Sequence, residues 1–243
     1  MIENIIILVV GFFLLVKGAD FLVSGAGSVA KKFHIPTLII GLTIVAIGTS
    51  MPELVVSTFS ALEGHSDIAI GNVVGSNLSN LLFILGLCAV IKPLEFNRQT
   101  KFIDNFIGIF ATILLFAFSH DNIVSTGEGI ILMICCLAFI GYNIFMALKY
   151  KEEESDIEEI VIMPVWKSCL YIILGILALK FGGDFVVRGA SSIAEIIGIS
   201  EKIISLTIVA FSTSLPELIT SVTATRRGEV DMAIGNILRF TNF

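Results

Sequence analysis

Long apolar stretches separated by short polar ones run the length of the chain. They occupy roughly 4–31, 36–62, 67–91, 102–119, 126–148, 167–197 and 201–225, and an eighth begins near Asp231 and meets the end of the sequence. About 20 predominantly apolar residues let a helix cross the hydrocarbon core of a bilayer, so each full stretch predicts a membrane helix. The pattern predicts an all-α, polytopic membrane protein of about seven complete helices and a partial eighth. The opening MIENIIILVVGFFLLV lacks a positive leading region and a clean small-residue cleavage site, and its apolar character continues past Lys17. It reads as a retained first helix and not as a signal peptide. Connections are short except 149–166, which carries the acidic run Glu152–Glu159 (EEESDIEE) and Pro164. That stretch is the expected linker between a first half, 1–148, and a second, 167–243.

Basic residues alternate between the connections. Lys31, Lys32, Lys92, Arg98, Lys101, Lys149, Lys151, Lys167, Arg226 and Arg227 fall on every second one, against Lys202 alone on the others. Cationic loops stay cytoplasmic, which predicts an N-terminus outside.

The halves repeat one another. A shift of 164 residues lays Asp20–Asn72 on Asp184–Asn236 without a gap, GLTIVAIGTSMPEL (41–54) on SLTIVAFSTSLPEL (205–218) and DIAIGN (67–72) on DMAIGN (231–236). Roughly half the paired positions are identical, well beyond what shared apolar composition yields. An odd number of segments separates each residue from its counterpart, so the second copy crosses the membrane in the opposite direction. Inverted-topology repeats are typical of secondary transporters, whose sites lie near the midplane between interrupted helices.

Composition agrees with a bilayer as solvent: 56% hydrophobic, 15% charged, with a mean hydropathy of +0.97, where soluble domains carry about a quarter charged residues. The net charge of −6 sits largely in the linker and names no partner, and no basic patch with interleaved aromatics points to nucleic acid. Cys88, Cys135, Cys136 and Cys169 lie in apolar stretches and read as small hydrophobes. His34, His65 and His120 fall in predicted loops as solvated side chains. EEESDIEE lacks the glycine and spacing of an EF-hand loop and reads as solvated linker, with regulatory Ca²⁺ binding the lesser alternative.

Two motifs carry chemistry. In GTSMPE (48–53), Pro52 has no N–H and disturbs the preceding turn, so the carbonyls of Gly48 and Thr49 are expected to lose helical partners. Thr49 and Ser50 add hydroxyls, and Glu53 a carboxylate one turn on. The second copy supplies Thr213, Ser214, Pro216 and Glu217. All-oxygen donors suit Na⁺ or Ca²⁺ and not a soft transition metal. A glutamate near mid-membrane costs on the order of 2–3 kcal/mol or more, and marks function unless it pairs privately with Lys17 or Lys180. GNVVGSNLSN (71–80) adds Ser76 and Asn80 on one helix face, with Gly75 allowing close approach or a local break. Their oxygens either complete a Ca²⁺ shell or bond between helices. Asp20 and Asp184, in matching Gly-x-Asp-Phe contexts, read as interface-facing helix ends or as polar contacts of moving helices.

GTSMPE followed by GNVVGSNLSN, with a second STSLPE copy, resembles the alpha-repeats of the sodium/calcium exchanger family, within the cation/calcium exchanger superfamily, in its prokaryotic antiporter type. The resemblance covers essentially the whole chain. It implies ten membrane helices, a central four-helix site, and alternating access in which the first and sixth helices slide against that core. It implies Thr49, Ser50, Glu53, Ser76 and Asn80 as ligands from the first repeat, Thr213, Ser214 and Glu217 from the second, and the carbonyls of Ala46 and Ala210 as Na⁺ ligands. The transported ions implied are Na⁺ and Ca²⁺, with no cofactor, in a prokaryotic inner membrane.

The second copy departs from this pattern after GNIL (235–238), where RFTNF ends the sequence. Arg239 and Phe240 stand opposite Gly75 and Ser76, and Ser212 stands opposite Gly48. The tail is expected to be that of a truncated or frameshifted chain whose second half-site lacks its eighth-helix ligands. The expected function is a Na⁺/Ca²⁺ antiporter. The alternatives are an H⁺- or K⁺-coupled Ca²⁺ exchanger of the same fold and a non-transporting remnant. No nucleophile–base constellation indicates an enzyme.

Overall fold

The computed structural model describes residues 1–64, 66–95, 105–120, 124–149, 162–200, 211 and 213–238, and among these all regular structure is helical. Helix α1, Ile2–Phe33, ends where His34 turns left-handed (φ 52°, ψ 42°) and its N–H caps Ala30 and Lys31; Pro36 then prevents continuation. Helices α2 (Thr37–Thr49) and α3 (Met51–Leu62) form one span bent by 52°. After them come α4 (Ile68–Ile91), α5 (Asn105–Phe118), α6 (Thr126–Lys149), α7 (Val165–Ile196), α8 (Leu215–Arg226) and α9 (Val230–Leu238). Helices α1, α4 and α7 are each long and apolar enough to cross a membrane, and the bent α2–α3 pair adds a fourth candidate. The predicted stretches fall on these elements. The acidic run of the linker and most of the first half of 201–225 lie outside the described residues.

Repeat-equivalent α1 and α7 pack along their whole length, and glycines let them do so. A Cβ on Gly11 would meet Val186 and Gly182, one on Gly18 would meet Leu179 and Gly175, and one on Gly25 would meet Ser168 and Ile172. Numbers rise on one helix as they fall on the other, so the pair is antiparallel. The 164-residue shift turns the contact Gly11–Gly182 into Gly175–Gly18, and Gly25–Ser168 into Gly189–Asn4; both are present. A two-fold axis therefore relates the helices, as an inverted repeat requires. Around this pair, Leu15, Leu22, Leu179, Val45, Ile84 and Ile237 form the buried core. Phe106, Phe110, Ile113 and Phe116 of α5 and Val9 and Phe13 of α1 point outward, a surface that suits lipid.

One end of the molecule collects the basic connections. Lys31, in the last turn of α1, acts electrostatically on Glu229 after α8. Lys92, after α4, lies 3.7 Å from where a Cβ on Gly228 would stand. Arg227 bonds Ser24 and pairs with Asp20 at 2.8 Å. The end of the linker joins them, the Met163 N–H donating to Ser28 Oγ at 2.8 Å and Ser168 Oγ to Ser28 Oγ at 2.9 Å. This grouping is the one the Lys/Arg alternation demands.

Asp20 and Asp184 correct one expectation. Both sit well inside 32-residue helices and not at helix ends, and Asp20 works as a polar contact through Arg227, with Lys17 farther off at 4.0 Å. His34 and His120 are exposed, as read from their loops, while His65 lies outside the described residues. The four cysteines are free.

The helix pair sets a stability prediction. A Cβ on Gly182 would come within 2.8 Å of the Leu15 nitrogen and 2.9 Å of the Gly11 carbonyl oxygen, while one on neighbouring Gly183 would meet nothing within 4 Å. Backbone cannot step aside as a side chain can, so Gly182→Val is expected to destabilise by about 1–3 kcal/mol. The measurement is the thermal midpoint of detergent-solubilised protein, with Gly183→Ala expected to show no loss.

Candidate functional site

The helix breaks come from the two prolines. Pro52 offers Gly48 no N–H, so the chain leaves helical geometry at Ser50 (φ −90°, ψ 5°) and restarts at Met51. There proline occupies the first turn, where a missing N–H costs nothing. Ser214 takes φ −87°, ψ 1°, and Pro216 opens α8 in the same way. Two copies matching within a few degrees show that the local sequence causes the break. Two further irregularities carry no such signal: π-helical turns at Gly41–Val45 in α2 and Ser79–Ile84 in α4. Gly75 does not break its helix, and a Cβ there would meet nothing within 4 Å. The distortion falls farther along, at Asn80.

The breaks bring polar groups from both repeats together inside the protein. Thr49 (0% exposed), Glu53 (8%), Ser76 (9%), Asn80 (1%), Ser214 (3%) and Glu217 (1%) are all buried. Ser50 Oγ lies 2.7 Å from the Ala46 carbonyl and 3.3 Å from Glu217 Oε1, the second contact crossing between repeats. Thr49 Oγ1 lies 3.1 Å from Asn236 Oδ1 and 3.3 Å from the Ala46 carbonyl. The Glu53 carboxylate is close enough to Glu217 to act on it electrostatically. Glu53 Oε2, Glu217 Oε2 and Asn80 Oδ1 are buried with no hydrogen-bond partner. Buried polar groups are normally satisfied, so three unpartnered oxygens in one region point to something that binds them.

Other expected residues are placed less directly. Ser76 Oγ turns back on its own helix, to the carbonyls of Asn72 (2.8 Å) and Val73 (3.2 Å). The turn carrying Asn80 packs against α8, which carries Glu217. Thr213 is half-buried at the second break, and Ala210 lies outside the described residues, as do Arg239 to Phe243. Neither Lys17 nor Lys180 pairs with the glutamates: Lys17 turns to Asp20 and Lys180 stands over the Phe181 ring.

Asn72 and Asn236 were missed as bonding residues. Asn72 Nδ2 donates to Ser57 Oγ at 2.9 Å and the Glu53 carbonyl at 3.3 Å, and Asn236 Nδ2 donates to Ser221 Oγ at 2.9 Å. Ser57 and Ser221 are themselves 164 residues apart. The signal was present in the twice-repeated Ile-Gly-Asn, which reads first as a mark of duplication.

The donors are oxygens only, which suits a hard cation. The fold defines a helical membrane transporter with inverted repeats, whose interrupted helices gather buried oxygen donors from both repeats. The profile of the family described as "Sodium/calcium exchanger protein" matches residues 3–150 and 167–238, and the chain belongs to that family. It is similar to the sodium/calcium exchanger MaX1 of Methanosarcina acetivorans, 31% identical over 97% of this chain and 78% of the relative. It is also similar to the inner membrane protein YrbG of Escherichia coli, 32% identical over 96% and 74%. The solved structure of the sodium-calcium exchanger NCX_Mj superposes with a TM-score of 0.87 at 29% identity, covering all of this chain and 78% of that one.

One titratable group outside the helices stands apart from the site. Glu229, between α8 and α9, is 3% exposed, and neither carboxylate oxygen has a partner. Burial, with a smaller push from Asp231, raises its pKa from 4.5 to about 7 against the opposing pull of Lys31 and Arg227. A raised carboxyl pKa means that the fold favours the neutral form. Stability is therefore lost as pH rises from the unfolded value through about 7, by up to about 3 kcal/mol. Glu229→Gln is expected to raise the thermal midpoint at a pH about one unit above 7 and leave it unchanged near the unfolded value. An equal gain at both pH values would contradict this.

Proposed function

We propose that this chain is a Na⁺/Ca²⁺ antiporter that exports Ca²⁺ in exchange for Na⁺ by alternating access. The observation that carries the reading is the pair Glu53 and Glu217: one from each antiparallel repeat, both buried, each with an unpartnered oxygen. Two ionised carboxylates in a dry site repel, and a bound cation removes that repulsion. The ligands are the Ala46 and Ala210 carbonyls, the hydroxyls of Thr49, Ser50, Ser76, Thr213 and Ser214, the Asn80 amide oxygen and the two glutamates. Ca²⁺ takes six to eight oxygens in flexible geometry. Several Na⁺ ions use the same oxygens, so occupancy by one excludes the other, and this competition is the basis of exchange. Relatives named as sodium/calcium exchangers support the choice of ions.

The moving body is the α1–α7 pair. Its glycine contacts join the two helices closely, so that they move as one body. The N-terminus faces outside and the basic end faces the cytoplasm, in a prokaryotic inner membrane. The acidic linker joins the two repeats on that cytoplasmic side.

The test is ⁴⁵Ca²⁺ uptake into proteoliposomes. An imposed Na⁺ gradient is expected to drive uptake, and Glu53→Gln and Glu217→Gln are each expected to abolish it. Uptake that ignores the Na⁺ gradient but follows pH or K⁺ would replace Na⁺ coupling with one of those ions. Unchanged transport in Glu53→Gln would remove the site.

A further inference from the structure

Asn236 projects from α9 into the contact between the repeats, and it is fully buried. Its two polar ends are both engaged and point to different repeats: Nδ2 donates to Ser221 Oγ at 2.9 Å within its own repeat, and Oδ1 accepts from Thr49 Oγ1 at 3.1 Å in the other. Thr49 stands at the break of the bent span, beside the Glu217 carboxylate and 3.3 Å from the Ala46 carbonyl. A threonine hydroxyl has one hydrogen and two lone pairs. With the hydrogen held by Asn236, both lone pairs are left for a cation, and the Ala46 carbonyl is not drawn toward Thr49. With the hydrogen on Ala46 or on the Glu217 carboxylate, the other acceptors it can reach, two of the proposed ligand oxygens would occupy each other. The amide therefore decides which way this hydroxyl faces.

The repeat counterpart shows that this role belongs to one side. Asn72 makes the equivalent bond to Ser57 at 2.9 Å, but its second contact goes to the Glu53 carbonyl, beneath a proposed ligand of its own repeat. The two asparagines thus share one anchoring bond and differ in what they hold.

We propose that Asn236 is a positioning residue for cation binding. Its carboxamide turns the Thr49 hydroxyl hydrogen away from the ion, so the ligand geometry of the first repeat depends on α9 of the second. This rests on Thr49 being a cation ligand, as in the preceding reading.

The test is equilibrium ⁴⁵Ca²⁺ binding to the purified full chain in detergent, with displacement by Na⁺. Wild type and Glu53→Gln come first. No binding in wild type, or equal binding in both, defeats the site reading and this proposal with it. If Glu53→Gln loses binding, the site stands and the remaining variants judge Asn236 alone. Asn236→Leu removes the acceptor and is expected to weaken binding about tenfold, the worth of one buried hydrogen bond. It is expected to add nothing in a Thr49→Val background. Asn236→Asp keeps an oxygen for Thr49 and loses only the donor to Ser221, so Thr49→Val is expected to weaken binding in that background by the same factor as in wild type. Wild-type affinity in Asn236→Leu, or losses from Asn236→Leu and Thr49→Val that add, would overturn the proposal by showing no route through Thr49. Should Asn236→Leu fail to fold, the Asp variant decides: insensitivity to Thr49→Val there overturns it.

Discussion

Two carboxylates buried against one another in a membrane protein are the constraint from which the rest of the site follows. Each ionised group taken from water costs several kcal/mol even after relaxation, and their repulsion adds to that. Nothing basic in the described site offsets it, since Lys17, Lys180 and Arg227 are turned to other partners. The protein surrounds the pair with hydroxyls, amide oxygens and backbone carbonyls instead. These are dipoles that favour positive charge without fixing one permanently. A permanent lysine would neutralise the site and leave it no reason to bind an ion and release it.

The helix breaks serve that constraint. A continuous helix would consume its carbonyls internally, whereas proline at 52 and 216 interrupts the ladder at Ser50 and Ser214 and turns polar backbone inward. Such backbone survives in a membrane only where protein, water or a ligand meets it. The breaks therefore had to fall in the interior, and the α1–α7 pair helps to make that interior. With glycines at 11, 18 and 25 against 182, 175 and 168–172, the two long helices approach to backbone contact along one wall.

Much of this was legible in the chain itself. The helical class and the approximate places of the helices follow from the apolar runs, because lipid makes that pattern obligatory. The breaks follow from proline, whose missing N–H acts locally. The π-helical turns at Gly41–Val45 and Ser79–Ile84 were not legible, since one extra residue in a turn has no composition of its own. Nor were the seven-residue glycine spacings, hidden among 21 glycines until the facing helix was known. Asp20 pairs with a residue 207 positions away, and no periodicity near Asp20 names Arg227. Asn236 bonds to Thr49 across 187 positions for the same reason. Local physics was readable; pairing across the two-fold axis was not.

The two-fold axis is obeyed by the scaffold and broken by the wiring laid over it. Helix contacts and the Asn–Ser bonds recur at an offset of 164, but Ser50 reaches Glu217 while Asn72, the counterpart of Asn236, turns to the Glu53 carbonyl. At the basic end Arg227 ties α8 to Asp20 and Ser24. The repeat places Glu63 opposite Arg227 and Arg188 opposite Ser24, so the equivalent corner holds the same kinds of charge with the donors exchanged between partners. Among the described residues Glu63 and Arg188 form no ion pair, and both are exposed. A perfectly symmetric molecule would have no means of presenting its site to one side in preference to the other. An exchanger needs two arrangements close in free energy, and an inverted repeat supplies them, because each half can adopt what the other holds. The contacts that disobey the axis are therefore the ones that distinguish this arrangement from its counterpart.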